Sequence, residues 1–110
     1  MVSNSDNYGV VLVTAVSLAE GKTIAQSLIE SKLAACVNMF PIDSLYLWQG
    51  KINQDQEYQL IIKTDLNNFS ELAEQIKTLH SYEVPEIIAL PIVAGSSSYL
   101  SWLGESLKQH

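Results

Sequence analysis

The stretch that decides the fold runs from Cys36 to Thr64 and reads CVNMFPIDSLYLWQGKINQDQEYQLIIKT. An extended run from Ala35 to Phe40 is broken at Pro41, resumes at Ser44-Leu45-Tyr46-Leu47-Trp48 and reaches Gly50-Lys51-Ile52. Asn53-Gln54-Asp55 is the expected turn, because Asn and Asp form local side-chain turns. Glu57 to Thr64 then alternates at its start and becomes apolar in the middle. Long strand, turn and long strand predict a hairpin. Side chains alternate along a strand, so Leu45 and Leu47 point one way while Tyr46 and Trp48 point the other. Ile61 is opposed to Leu60 and Ile62 in the same manner. The hairpin is therefore apolar on both faces.

Before the hairpin, Val10-Val11-Leu12-Val13-Thr14 is a β-branched run expected to be a strand buried on both sides. Ser17 and Glu20 have capping-box spacing, and Ile24, Ala25, Leu28 and Ile29 recur at helical intervals behind them. After the hairpin, Asn68 is a candidate cap for a helix whose apolar face is Phe69, Leu72, Ala73 and Ile76, extended by His80. Pro85 holds Val84 away from helical angles. Ile87 to Val93 is a last strand, placed at an edge or a bulge by Pro91. Gly95 and Ser96 to Ser98 open a short terminal helix carrying Tyr99, Leu100, Trp102, Leu103 and Leu107.

The order βαβ–βαβ plus a tail predicts an α+β, ferredoxin-like βαββαβ sandwich with an extended hairpin and a C-terminal helix. Helices cover only one face of such a sheet, yet these strands are apolar on both. A helix of about a dozen residues spans about 18 Å, too little to hide the second face. Another copy of the chain is the expected cover, with the terminal helix folding back as the alternative.

The 110 residues suit one domain, 1–110, with residues 1–8 expected as a flexible N-terminus. A charged content of 16% against 47% hydrophobic describes a folded protein. The net charge of −6 and the absence of arginine exclude sequence-independent nucleic-acid binding as the expected role. Cys36, the single cysteine, excludes an intrachain disulfide and a cysteine-rich zinc site within one chain. The polar start does not resemble a secretion signal, and the apolar runs are too short to cross a membrane, so a cytoplasmic setting without membrane contact is expected.

Five ordered motifs then become informative together. They are Leu33-Ala34-Ala35-Cys36-Val37-Asn38, Tyr46-Leu47-Trp48-Gln49-Gly50-Lys51-Ile52, Ile62-Lys63-Thr64, Tyr82 to Ile92 with its Tyr-x-x-Pro-Glu start, and Tyr99-Leu100-Ser101-Trp102-Leu103. From about Val10 to Leu107 the chain resembles the CutA family of divalent-cation tolerance proteins. The resemblance implies a compact homotrimer built through edge strands and long hairpins, similar in shape to the PII signalling proteins, in the cytoplasm. It also implies a role in copper and divalent-metal tolerance, with Cu(II) or another divalent cation as the ligand. Where metal ligands are assigned in the family, they are a cysteine late in the first strand and two adjacent histidines before the Tyr-x-x-Pro-Glu segment. Here those positions hold Val13, Leu79 and His80, so His80 alone matches.

Read from the residues, His80 has two roles open to it: a metal ligand, or a structural group at a helix C-terminus, where the dipole favours imidazolium. His110, the last residue, is a second imidazole able to take metal adventitiously. Cys36 lies in an apolar run and reads as a small hydrophobe, with a soft-metal thiol as the alternative. Lys63, Tyr82, Glu86 and Trp102 are candidates for a cleft between subunits, with Trp48 as a further aromatic for its lining and Glu83 as a second carboxylate open to pairing with Lys63; a surface salt bridge and an aromatic interface core are the alternatives. No serine stands in a nucleophile elbow, and Gly95-Ser96-Ser97-Ser98 lacks the lysine of a phosphate-binding loop, so no catalysis is expected. Two functions remain: a trimeric metal-tolerance protein, or a PII-like trimeric module that binds a small molecule or a protein without a physiological metal.

Overall fold

The structure is a computed structural model that describes residues 7–108. Strand β1 (Tyr8–Ala15) is followed by α1 (Leu18–Glu30), the hairpin strands β2 (Cys36–Trp48) and β3 (Lys51–Asp65), α2 (Phe69–Leu79), β4 (Ile87–Pro91) and α3 (Ser97–Ser106). The sheet order is β2-β3-β1-β4 with every neighbouring pair antiparallel, the ferredoxin-like arrangement expected from the sequence. Strand β1 begins at Tyr8, inside the stretch expected to be flexible; residues 1–6 and His110 lie outside the described residues.

Register divides the side chains into two sets. Val11, Val13 and Ala15 of β1 stand opposite Ile62, Leu60 and Tyr58 of β3, and this face meets the helices. There Leu60 and Ile62 join Ile24 and Leu28 of α1 and Leu72 and Ile76 of α2 in one core. Thr64 is fully buried in the same layer, where its Oγ1 donates to the Leu33 carbonyl at 2.6 Å. The other face carries Val10, Leu12, Ile88 and Leu90. It is only partly covered, so the β1 run is buried on one face rather than on both as expected. Helix α3 lies over the Tyr8 end of this second face: a Cβ at Gly104 would collide with the Tyr8 hydroxyl, and Leu100 and Leu103 are buried beneath the helix. Ile88 and Leu90 stay exposed.

Local chemistry explains the boundaries. Ser17 caps α1, its Oγ accepting from Glu20 N at 3.1 Å. The helix closes with Leu33 N donating to Leu28 O and Lys32 N donating to Ile29 O, with Lys32 at φ 61 in the left-handed position usually held by glycine. Asn68 precedes α2 without capping it; Asp65 instead accepts from Asn67 N at 2.9 Å across a short 3-10 turn. Strand β2 runs unbroken through Pro41, because it is an edge strand with one side free of pairing. Pro91 likewise sits on the opposite edge, as expected.

The hairpin turn corrects the sequence reading. Trp48 pairs with Lys51, so the loop is Gln49-Gly50, and Asn53-Gln54-Asp55 lies within β3. Both loop residues have positive φ (52 and 76), the backbone of a two-residue type I′ turn, whose twist matches that of the flanking strands. Strand β1 reaches only Tyr58, leaving Lys51 to Glu57 paired with β2 alone. This two-stranded arm, about 23 Å long at strand spacing, gives the molecule its extents of 48 × 26 × 22 Å.

Candidate functional site

The root of the arm and the segment between α2 and β4 enclose a cleft of about 860 Å3. Its floor is the open face of the sheet at Thr14, Glu57 and Gln59. Tyr46 and Trp48 rise from the arm, and Tyr82 and Glu86 from the segment after α2. Glu57 is only 7% exposed. Its Oε2 accepts from the Tyr82 hydroxyl at 2.9 Å, which ties the segment to the sheet. Burial, and then this bond to Glu57, push the Tyr82 phenol far above its ordinary pKa and keep it neutral. On the arm, the Tyr46 hydroxyl donates to Asp55 Oδ2, which raises its pKa too. Gln59 Nε2 donates to Val13 O at 3.1 Å, so its amide is fixed across the floor.

His80 sits immediately behind this wall. Its Nδ1 accepts from Tyr82 N at 3.0 Å and its Nε2 contacts Thr14 O at 2.6 Å. A carbonyl accepts only, so Nε2 carries the proton and donates, and both ring nitrogens are engaged by backbone. The ring packs against Tyr82 with centroids 4.8 Å apart. His80 ends α2, as expected, but its partner is the end of β1 rather than the carbonyls of its own helix. It locks the α2–β4 segment to the sheet. Glu20 adds a second lock: Oε1 accepts from Ser81 N and Oε2 from Val16 N, each at 2.8 Å. Burial alone would raise the Glu20 pKa, but these N–H donors outweigh it and hold the carboxyl below its usual value.

Of the four residues expected to share a cleft, Tyr82 and Glu86 line this one and Lys63 and Trp102 do not. Lys63 is six residues from Glu57 along β3, about 20 Å away, where its Nζ bonds Asn38 Oδ1 and lies 4.0 Å from Cys36 Sγ. Trp102 stacks at a tilt against Tyr99 on α3, centroids 5.5 Å apart. Within one protomer, then, the four residues stand in three separate places. The family's other ligand positions are apolar here: Val13 is fully buried and Leu79 packs against the core. Among the described residues, no three His, Cys, Asp or Glu side chains converge in a way that could hold a metal ion. No helix among them is long and apolar enough to cross a membrane.

Glu57, Tyr46 with Asp55, and Glu20 are the site residues that sequence reasoning missed. Alternation from Lys63 back along β3 places Glu57 on the open face, but nothing in the sequence signals that Tyr82 reaches it.

Residues 9–106 match the family model described as CutA1 divalent ion tolerance protein. A curated relative, the divalent-cation tolerance protein CutA of Thermus thermophilus, is 50% identical over 98 residues, which are 88% of this chain and 95% of that one. The CutA1 structure from Oryza sativa superposes with a TM-score of 0.92 at 46% identity, covering 98% of this chain and 100% of the other. A structure from Archaeoglobus fulgidus, described as a periplasmic divalent cation tolerance protein CutA, gives 0.90 at 42% identity over 92% of this chain and 99% of that one.

Proposed function

The chain belongs to the CutA1 divalent ion tolerance family, and on that premise we propose that it is a non-catalytic homotrimer acting as a PII-like binding module in divalent-cation tolerance. One observation carries the reading. The arm is apolar on both sides and bare, with Leu47 72% and Ile52 77% exposed. A two-stranded hairpin is marginal in water by itself, and an apolar surface of this kind is ordinarily covered. Neighbouring copies that cover the arm, Ile88 and Leu90 would stabilise it and close the open side of the cleft. The compartment we propose is the cytoplasm, where the free Cys36 would stay reduced.

Copper is not the ligand this geometry favours. His80 would have to release two backbone hydrogen bonds to coordinate, and Val13 and Leu79 offer no donor atoms. Light scattering on the tag-free, metal-free protein should give three times the chain mass. Calorimetric titration with Cu(II) should give weak binding that His80→Ala leaves unchanged. A monomeric mass would sink the assembly. Saturable submicromolar copper binding lost in His80→Ala would restore the histidine as a ligand, completed by groups from a neighbouring copy.

A further inference from the structure

The cleft at the root of the arm has a chemical character that selects its ligand. Among the described residues of one protomer, its lining includes four carboxylates, Asp43, Glu57, Glu83 and Glu86, and neither lysine nor histidine. The buried member, Glu57, is in neither of the ion pairs found among the described residues; those are Lys77–Glu74 and Lys108–Glu105 on helix surfaces. A carboxylate kept nine-tenths out of water and hydrogen-bonded to a neutral phenol lacks the counter-charge that buried ions normally have. Tyr82 and Tyr46 offer aromatic surface near it, while Trp48 lines the far end of the cleft, toward the hairpin tip, about 20 Å along the strand.

We infer that this cleft binds a small organic ammonium ion, an amine or a quaternary ammonium, with Glu57 supplying the counter-charge and Tyr46 and Tyr82 the aromatic walls. This inference rests on the binding-module reading above and names the ligand class. An anionic ligand such as a nucleotide would meet four negative charges and no cationic donor from this protomer's share of the cleft. A bare metal ion would find no converging set of three ligands among the described residues. About 860 Å3 is also the volume of an organic ligand site and far beyond that of a single ion. An organic cation uses both features present: the carboxylates, and ring faces that attract positive charge. Tyr82 stays neutral, held by Glu57, so it acts as a wall and orients the carboxylate.

The test is isothermal titration calorimetry. The tag-free, metal-free protein is titrated with choline chloride and with putrescine, against sodium chloride of equal ionic strength and against ATP. Saturable heat with either ammonium probe and none with ATP is expected. Glu57→Gln keeps an acceptor for Tyr82 and should weaken binding about tenfold or more. Tyr46→Ala should weaken it about two- to fivefold. Should Glu57→Gln fail to fold, Glu86→Gln, an exposed position, should still weaken binding measurably. Absence of saturation with both probes overturns the inference, as does saturation indifferent to Glu57→Gln and Glu86→Gln, or preferential binding of ATP. Light scattering on the same samples separates the two readings. A trimer that binds neither probe loses the cleft ligand and keeps the assembly, while a monomer that binds them loses the assembly and keeps the cleft.

Discussion

The β2–β3 hairpin carries apolar side chains at both of its ends, and they live in different surroundings. From Tyr58 to Lys63 strand β3 lies between β2 and β1 with two helices over one face, and Leu60 and Ile62 are fully buried. From Lys51 to Glu57 it has one neighbour and no helix, and Ile52 is mostly exposed. Apolar side chains thus make a core at one end of the hairpin and, with Leu45, Leu47 and Ile52, a surface at the other. Binary pattern reports which residues are able to be buried; what buries them is settled by topology, here by the point at which β1 stops. The cleft lies where the two regimes meet, and its side chains come from both.

The sharpest way to break this comparison is a matched pair of truncations. Leu60→Ala removes a fully buried side chain from the layer between sheet and helices, and should cost about 2–5 kcal/mol of unfolding free energy in urea titration. Leu47→Ala removes an equal volume from the arm, where no described neighbour shields it. In a dilute protomer its effect on unfolding should stay within about 0.5 kcal/mol. In the proposed assembly the same change should weaken association, read as a shift of the light-scattering mass to higher protein concentration. Equal losses of protomer stability at the two positions would mean that the arm has a hidden core of its own.

Two glycines sharpen the contrast at the level of the backbone. A Cβ at Gly9 would lie 2.6 Å from the Leu90 carbonyl oxygen and 2.6 Å from Leu66 Cδ1, so Gly9→Ala must push β1 from β4. The expected loss is about 1–3 kcal/mol, measured by thermal or denaturant unfolding. At Gly50 the surroundings are empty and the constraint is the backbone alone, at φ +76. Gly50→Ala should cost about 1 kcal/mol or less, confined to the hairpin tip and visible as faster amide exchange at Gln49 to Lys51.

The same contrast explains what is legible in the chain. The element order, the antiparallel sheet, the Ser17 cap and the edge position of Pro91 follow from periodicity and from residues with narrow backbone preferences. The turn escapes sequence reasoning because Asn53-Gln54-Asp55 carries two favourable turn residues, whereas Gln49 adopts φ 52 only under the demand of a type I′ loop. Pro41 reads as a break because strand pairing on one side is invisible in sequence. For the site, Tyr82 and Glu86 are close enough in sequence to be grouped, but Glu57 is 25 residues from its partner Tyr82. Glu20 is 61 residues from Ser81. Such pairs depend on tertiary approach, and no local signal encodes them. His80 stands out for its chemistry, yet its ring is occupied by two backbone groups that no motif would reveal.

The mildest effect expected is electrostatic, and it acts on the wall of the cleft. Glu20 is held below the ordinary glutamate value of 4.5 by N–H donors from Val16 and Ser81, against the opposing pull of burial. A carboxylate whose folded value is depressed stabilises the fold above its unfolded value, and that contribution is lost as pH falls through the folded one. Acidification from 4.5 downward should therefore loosen the bond between Ser81 and Glu20 before the core responds. The group is partly exposed, so screening limits the effect to below about 1 kcal/mol. In Glu20→Gln the side chain keeps one carbonyl and turns an amide donor toward the other N–H, so one of the two bonds is lost at every pH. Amide exchange at Ser81 and Tyr82 should then be faster than in the parent at neutral pH and should no longer accelerate on acidification through this group. Protection at Ser81 that is unchanged by the substitution would place the hold on this segment with His80 alone.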